Sequence, residues 1–339
     1  MKNVIVTGGC GYIGSHTIIE LIKCGYNPII IDDFSNSNKK IYDKICEITN
    51  QDIYLIEKSL DSVFIFPELS NNMVIEGIIH FAAYKSVNES IKEPIKYYDN
   101  NIKSTINVLK MMEYYDIKNL IFSSSCTVYG EPDLIPVTET SEIKNPTSPY
   151  GATKQMCERI IDDFHKSSDY YNVVKLRYFN PIGAHPSGLI GEIPNGIPNN
   201  LVPYLTQTAI GKRDVLKIYG NDYDTQDGTC IRDFIHVCDL ANAHVSSLNY
   251  IEDKRNKNFV FNVGTGLGTS VLELIQMFED VNDIKLNWAF DNRREGDIVK
   301  IWANTDLITN TLNWKPIFSV KDGLKHSWEW EKNIPNIIF

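Results

Sequence analysis

Close to its start the chain reads Val4-Ile5-Val6-Thr7-Gly8-Gly9-Cys10-Gly11-Tyr12-Ile13-Gly14, an unbroken apolar run that stops abruptly in glycines. A strand buried on both faces needs such a run, and a strand that turns at once into a helix needs glycine where a Cβ would collide. Gly9, Gly11 and Gly14 fit G-x-G-x-x-G, while Thr7, Gly8, Gly11 and Gly14 fit the looser T-G-x-x-G-x-x-G. The free N–H groups of the next helix, with its partial positive charge, then favour a pyrophosphate. The context agrees: a helical run from Tyr12 to Cys24, a stop at Gly25, and a second strand Ile29-Ile30-Ile31 ending in Asp32. That acid stands about twenty residues beyond the glycines, where a carboxylate accepts from the adenosine ribose hydroxyls. It also repels a 2′-phosphate, so NAD is expected in preference to NADP.

Outward from this turn the composition sets limits. A chain of 339 residues, 43% hydrophobic and 22% charged, is long enough for two domains or one large domain with a lobe. Its net charge of −10 disfavours a nucleic-acid surface, which needs clustered Lys and Arg. The seven cysteines, Cys10, Cys24, Cys46, Cys126, Cys157, Cys230 and Cys238, are scattered and form no C-x-x-C pair. They read as reduced packing residues; no metal site is expected. No apolar run approaches the length of a membrane span, and none resembles a secretory leader, so a cytoplasmic protein off the membrane is expected.

Further strands are expected at Ile53–Ile56, at Val74–Ala83 and at Asn119–Phe122, alternating with helices as a doubly wound parallel α/β sheet demands. Small residues end the run Gly77-Ile78-Ile79-His80-Phe81-Ala82-Ala83, where backbone can approach a ligand. Pro94 opens a helix to Asp116 with apolar spacing at Ile95, Tyr98, Ile102, Ile106 and Leu109; Asn100 lies in its first turns and suits solvent as well as a ligand. Ser123-Ser124-Ser125 ends the fifth strand, as ligand-binding hydroxyls or as a plain cap.

Chemistry concentrates in Ser148-Pro149-Tyr150-Gly151-Ala152-Thr153-Lys154. Ser148 as N-cap and Pro149 at the first position start a helix, placing Tyr150 and Lys154 on one face at i, i+4. A phenol titrating near pH 10 is a weak base at neutrality, and a nearby ammonium together with a nicotinamide cation beside it is expected to favour the phenolate. Such a group takes a proton from a sugar hydroxyl as hydride leaves its carbon, with Ser125 bridging the same oxygen. Beyond a sixth strand ending at Arg177–Pro181, a Gly- and Pro-rich loop to Pro198 marks the start of a separate lobe. Phe259–Val263 reads as a strand returning to the sheet, ahead of a helix near Ser270–Val281. Arg232 and Arg294 suit a pyrophosphate by their planar forks, although taken alone they fit surface salt bridges better.

The stretches Thr7–Gly14, Phe81–Lys85, Tyr97–Asn101, Ser123–Gly130, Pro149–Lys154, Arg177–Pro181, Arg232–Val237 and Arg293–Asp297 together resemble the UDP-glucose 4-epimerases (UDP-galactose 4-epimerases) of the extended short-chain dehydrogenase/reductase superfamily. The match runs from Met1 to about Trp330. It implies a Rossmann-type domain over 1–180 that binds NAD, with segments around 231–263 returning to the sheet. A smaller mixed α/β lobe over 181–339 then binds UDP-glucose and UDP-galactose, and the protein is a homodimer built on the helices Pro94–Asp116 and Tyr150–Ser168. Catalysis falls to Tyr150, Lys154 and Ser125. The NAD site implied is Gly8, Gly11, Tyr12, Ile13, Gly14, Asp32, Asp33, Asn36, Ser37, Ser59, Leu60, Phe81, Ala82, Ala83, Lys85, Asn100 and Phe179, with Tyr150 and Lys154. For substrate it implies Asn180, Asn200, Leu201, Lys217, Tyr219, Arg232, Phe234, Arg294, Asp297 and Ile301, with Ser125 and Tyr150.

The chain departs from the family pattern at several positions. Ser59-Leu60 stands where an Asp followed by an aliphatic usually meets adenine, Phe234 where Tyr is common, and Ile301 where the hexose pocket often carries Tyr. The smaller Ile301 is expected to leave room for a 2-acetamido group. A 4,6-dehydratase sharing this fold would place an Asp-Glu pair after the strand-end hydroxyl, and Cys126-Thr127 supplies no such acid. A redox-sensing NAD module without catalysis is the rival from another class, disfavoured by the intact Ser125, Tyr150 and Lys154.

Overall fold

The computed structural model describes residues 2–61, 64–69, 73–294 and 297–338. Its first half alternates strand and helix: β1 (Lys2–Thr7), α1 (Tyr12–Lys23), β2 (Tyr26–Asp32), α2 (Lys39–Thr49), β3 (Tyr54–Glu57), β4 (Ile75–His80), α3 (Val87–Lys92), α4 (Pro94–Tyr114), β5 (Asn119–Ser123), α5 (Pro149–Lys166) and β6 (Asn172–Tyr178). The second half begins β7 (Asn180–Ile182), α6 (Leu201–Ala209), β8 (Leu216–Tyr219), β9 (Ile231–Arg232), β10 (Phe234–His236), α7 (Val237–Ile251) and β11 (Asn258–Val263). It closes with β12 (Thr269–Ser270), α8 (Val271–Asn282), β13 (Trp288–Asp291), β14 (Lys300–Ile301), α9 (Asp306–Leu312) and α10 (Val320–Ile338).

Among the described residues one seven-stranded sheet runs in the order β11-β6-β5-β4-β1-β2-β3, with every pairing parallel. The alternation of side chains explains why it is covered twice. Val4, Val6 and Ile30 pack on one face with residues of α1, α2 and α7 such as Ile18, Leu21, Ile45 and Leu248. Ile5, Ile29 and Ile31 point the other way, into a cluster with Val108 and Met112 of α4 and Ile161 of α5. Each such fully buried aliphatic contributes about 1.5–3 kcal/mol, so neither face can be left to water. The result is a Rossmann-type α/β fold, with the carboxyl ends of β1, β2, β4, β5 and β6 opening on one edge.

A smaller mixed α/β lobe follows β6. Its core joins Ile182, Val202, Leu205, Leu216, Ile218, Phe234, Leu274, Phe278 and Leu324. Its strands are short and form separate sheets: β10 with β7, β13 with β8, and β9 between β12 and β14. Within 231–263, only β11 joins the large sheet, at its edge beside β6. β9 and β10 pair inside the lobe, and α7 covers the sheet through Leu240, Val245 and Leu248. The fourth strand ends at His80, short of the expected Ala83; Phe81 leaves it with its N–H still bonded to the Thr7 carbonyl at 3.0 Å. The helix expected near Ser270–Val281 spans Val271–Asn282, with Ser270 and Glu273 completing a capping box at its start.

Two devices fix α5, the helix that matters most below. Ser148 accepts from the Gly151 N–H at 3.2 Å and Pro149 fills the first turn. Further along, Glu158 and Arg177 form a two-pronged pair at 2.6 and 3.0 Å, with both side chains buried, and Ser124 donates to the same carboxylate at 2.5 Å.

Candidate active site

The turn after β1 has no room for side chains. Gly8 sits at φ +67°, and a Cβ on it would stand 2.9 Å from the Ala82 nitrogen. A Cβ on Gly14 would stand 2.2 Å from the Gly8 carbonyl oxygen, so α1 can approach the turn only as glycine. Gly11 caps α1 without any side-chain bond, and no acid occupies the first turn. The helix start therefore keeps its N–H groups and partial positive charge for an anion. Asp32, 8% exposed, accepts from the N–H groups of Cys10 and Phe34, each at 2.9 Å, and from the Ser37 hydroxyl at 2.8 Å. Burial raises its pKa, those three bonds opposing. Next to it, burial pushes the Asp33 carboxyl up, but hydrogen bonds from Ser35 and Ser59 outweigh this and hold it low.

From this turn an elongated cavity of about 460 Å³ runs to the amino end of α5. Gly8, Gly11, Tyr12, Ile13 and Gly14 line it beside Asp32, Asp33, Asn36 and Ser37. Ser59 and Leu60, the strand-end group Phe81, Ala82, Ala83 and Lys85, and Asn100 line it as well. Tyr150 and Lys154 border the same space, as does Asn200.

At the α5 end, Lys154 is 4% exposed and its Nζ donates to the Ser123 carbonyl at 2.7 Å, lying 4.9 Å above the centre of the Phe122 ring and 5.9 Å from that of Tyr150. Burial pulls the ammonium down to about 8, Cys157 and Glu158 opposing. In the chain alone, without the nicotinamide charge that the expectation included, the Tyr150 phenol is pushed well above the usual range. Burial is the main cause, Tyr178 adds to it, and the Ser125 hydroxyl opposes it. Ser125 itself caps the short turn Cys126–Tyr129, accepting from the Thr127 N–H at 3.2 Å.

The remaining residues expected at the site lie outside the lining of that cavity. Tyr219, Arg232, Arg294 and Asp297 gather in the lobe: Arg294 donates to Asp297 at 2.5 Å, Arg232 stands 3.9 Å from the same carboxylate, and Arg294 lies 5.7 Å over the Tyr219 ring. Lys217 is paired with Asp291 at 2.8 Å. Phe179 and Ile301, each 2% exposed, pack with Val128, Tyr129, Val137 and Ala303. Asn180 opens β7, and Leu201 begins α6 against the lobe core. Phe234 is buried in that core, where its ring supports the lobe from within.

The match to known proteins is long. A family model described as GDP-mannose 4,6 dehydratase matches residues 5–327. A UDP-glucose 4-epimerase of Dictyostelium discoideum is 46% identical, the alignment covering 98% of this chain and 96% of that protein. Among solved structures, the UDP-glucose 4-epimerase of Stenotrophomonas maltophila with bound NAD and formylated UDP-arabinopyranose superposes with a TM-score of 0.95 at 40% identity, covering 99% of both chains. That of Bifidobacterium longum in complex with NAD+ and UDP gives 0.93 at 42%, again covering 99% of each. The chain belongs to the UDP-glucose 4-epimerase family. It is an extended short-chain dehydrogenase/reductase, the wider group to which the dehydratase model also points. After the strand-end serine this chain carries Cys126-Thr127 and not the Asp-Glu pair expected of a dehydratase.

The NAD of these epimerases fits the residues present. The glycine turn leaves a cradle that a Cβ would fill, Asp32 faces the same cavity, and Tyr150 and Lys154 line its far end. Ser59 and Asp33 line the cavity as well. Residues not anticipated from sequence also line the cavity, notably Tyr84, Tyr178, Glu192, Asn195 and Asn199, while of the strand-end serines it is Ser123 that borders it. Tyr178 precedes the expected Phe179, and its hydroxyl meets both Ser123 and Tyr150. No local pattern marks Glu192, which comes from a loop remote in sequence. In the Arg232–His236 motif, Asp233 is a structural hub: it accepts from the Thr265 N–H at 2.7 Å, Gly266 at 3.0 Å and Ala303 at 3.2 Å.

Lys154 makes stability depend on pH. Its pKa falls from 10.5 to about 8 on folding, so between those values the unfolded chain holds a proton the folded one has shed. Stability from this residue therefore rises with pH across that window, and below it the penalty of the buried charge is fully present. With dinucleotide removed, the thermal midpoint of Lys154→Met minus that of the parent should shrink between pH 7 and pH 10.5. A difference that stays constant with pH would place the shed proton elsewhere.

Proposed function

We propose that this chain interconverts UDP-galactose and UDP-glucose by epimerisation at C4 of the hexose, through a transient 4-keto sugar. The observation that carries it is the placement of Tyr150 and Lys154 at one end of a cavity whose other end is the glycine turn and Asp32. The chemistry NAD brings when bound is acceptance and return of hydride at C4′, with a positive ring charge beside the phenol. Tyr150 takes the O4′ proton and later returns it. Ser125, just beyond the end of β5 and beside Tyr150, orients that hydroxyl. Lys154 holds its position through the Ser123 carbonyl and supplies the charge that offsets the phenolate. The keto sugar must present its other face before hydride returns, so binding energy belongs on the UDP rather than on the hexose.

This reading assigns residues 1–180 to the cofactor and 181–339 to the UDP-sugar. Tyr219, Arg232, Arg294 and Asp297, already gathered in the lobe, meet the uridine and phosphates; Asn180, Leu201 and Lys217 flank them, Ile301 borders the hexose, and Phe179 belongs with the cofactor. It also makes the protein a cytoplasmic homodimer. Seven free cysteines suit a reducing compartment. No helix among the described residues is long and apolar enough to cross a membrane. Ile91 and Ile95 at the start of the α3–α4 region and Met156 on α5 are 55%, 77% and 45% exposed, an apolar surface that a second copy would cover.

Incubation with UDP-galactose and no added reductant should yield UDP-glucose. A stable keto sugar in its place would make the enzyme a dehydratase, and no product at all would leave only a binding module. UDP-N-acetylgalactosamine should also turn over, given the aliphatic Ile301; inertness toward it while UDP-galactose reacts would show that the pocket is closed by other groups. Tyr150→Phe should lose at least about a thousandfold in kcat while its affinity for UDP stays within a factor of about two. Sedimentation equilibrium should give twice the chain mass, and a monomer at micromolar concentration would remove the role given to α4 and α5.

A further inference from the structure

The loop between β7 and α6 contributes Gly191 through Asn200 to the same cavity that holds the glycine turn. Several polar contacts tie it to the Rossmann half. Asn195 donates to Asn36 at 3.0 Å and Asn199 to Ser86 at 3.0 Å. The most connected member is Glu192. One of its carboxylate oxygens, Oε1, accepts from Lys85 Nζ at 2.7 Å and from Asn200 Nδ2 at 2.9 Å. Its backbone carbonyl accepts from Trp330 Nε1 at 2.9 Å, and no Cβ fits at the preceding Gly191, where one would lie 2.5 Å from the Trp330 ring. The backbone at Glu192 is thus pinned to α10, while its side chain reaches into the cavity. Lys85 in turn lies 5.5 Å over the ring of Tyr12, whose hydroxyl donates to the Gly183 carbonyl at 2.6 Å.

We propose that Glu192 is a positioning residue that couples retention of the dinucleotide to binding of the UDP-sugar, because a single carboxylate oxygen holds Lys85 on the cofactor side and Asn200 on the substrate side. The proposal rests on the function given above, which assigns Lys85 and Asn200 to those two ligands. A carboxylate is an unexpected lining for a cavity meant for two pyrophosphates. On charge alone it repels both, and its removal would free Lys85 to meet the anion. As a clasp it does the reverse: it keeps the Lys85 ammonium and the loop carrying Asn200 together, so losing it frees both. The two effects have opposite signs, which makes them separable. Glu192 is 12% exposed and Lys85 46%, so the ion pair is modest, and with the Asn200 bond the clasp amounts to about a three- to thirtyfold effect.

The test uses the holoenzyme and two readouts other than turnover: the rate at which bound NAD exchanges with labelled NAD, and the affinity for UDP by calorimetry. Glu192→Ala should speed exchange and weaken UDP, each by about three- to thirtyfold. Glu192→Gln keeps an oxygen that accepts from the same two donors and should restore most of both. If charge dominates, both variants lose the same negative charge, hold NAD more tightly than the parent and behave alike; that result overturns the clasp. Should Glu192→Ala fail to fold, Asn200→Ala serves in its place. It removes one tether, and NAD exchange measured without UDP should again quicken; an unchanged rate overturns the proposal. A parent protein that carries no NAD and binds no UDP sinks the proposed function, whereas a parent that does both beside an indifferent Glu192→Ala sinks the clasp alone.

Discussion

A lysine ammonium held away from water is the constraint around which this molecule is built. Lys154 has one carbonyl partner, from Ser123, and the face of Phe122, both at the end of β5. Neither compensates fully for lost hydration, which is why its pKa falls. The surroundings must hold it in place nonetheless. One turn further along α5, Glu158 is locked to Arg177 on β6 and accepts from Ser124 on the loop after β5. Breaking such a buried pair by removing one partner typically costs about 3–5 kcal/mol, so the helix cannot drift from the sheet without a large loss. The clamp that stabilises α5 is thus also what keeps Lys154 beneath Tyr150.

The same economy of position appears at the other end of the cavity. Gly14 lets α1 close to within contact of the Gly8 carbonyl, and Asp32 spends its burial on Cys10, Phe34 and Ser37. Those contacts set the shape of the turn before any ligand arrives. Between the two ends the lining mixes polar and apolar side chains, many of them drawn from loops such as Phe81–Ser86 and the stretch around Glu192. Tyr150 and Lys154, by contrast, sit on a capped helix packed against the sheet.

The phenol shows what the chain leaves to its ligands. Tyr150 and Lys154 share a helix face, and the sequence reading has an acidified phenol follow from that ammonium together with a nicotinamide cation. In the folded chain both groups are buried, and burial acts on each separately: it discourages the phenolate and the ammonium alike. In the proposed mechanism the charge that favours the phenolate therefore has to come in part from the bound dinucleotide, as the sequence reading already requires.

By itself the sequence determined the parallel sheet, the glycine turn, Asp32 and the Tyr150-Lys154 face of α5. These are local features: a two-residue or 3.6-residue periodicity, a turn that only glycine can make, a cap and its proline. Even the parallel order follows from strands and helices alternating along the chain. Only the tertiary structure decided which of the second-half residues meet the first. The strands of the lobe are two to four residues long, too short for any periodicity, and they pair with partners remote in sequence, as Ile231 does with Ser270 and Lys300. Glu192, Tyr178 and Asp233 acquire their partners from such remote contacts, and Phe234, a candidate for the ligand by its motif, is drawn into the lobe core instead. Which side chains converge on a cavity depends on how loops cross between packed elements, and spacing along one chain carries no record of that.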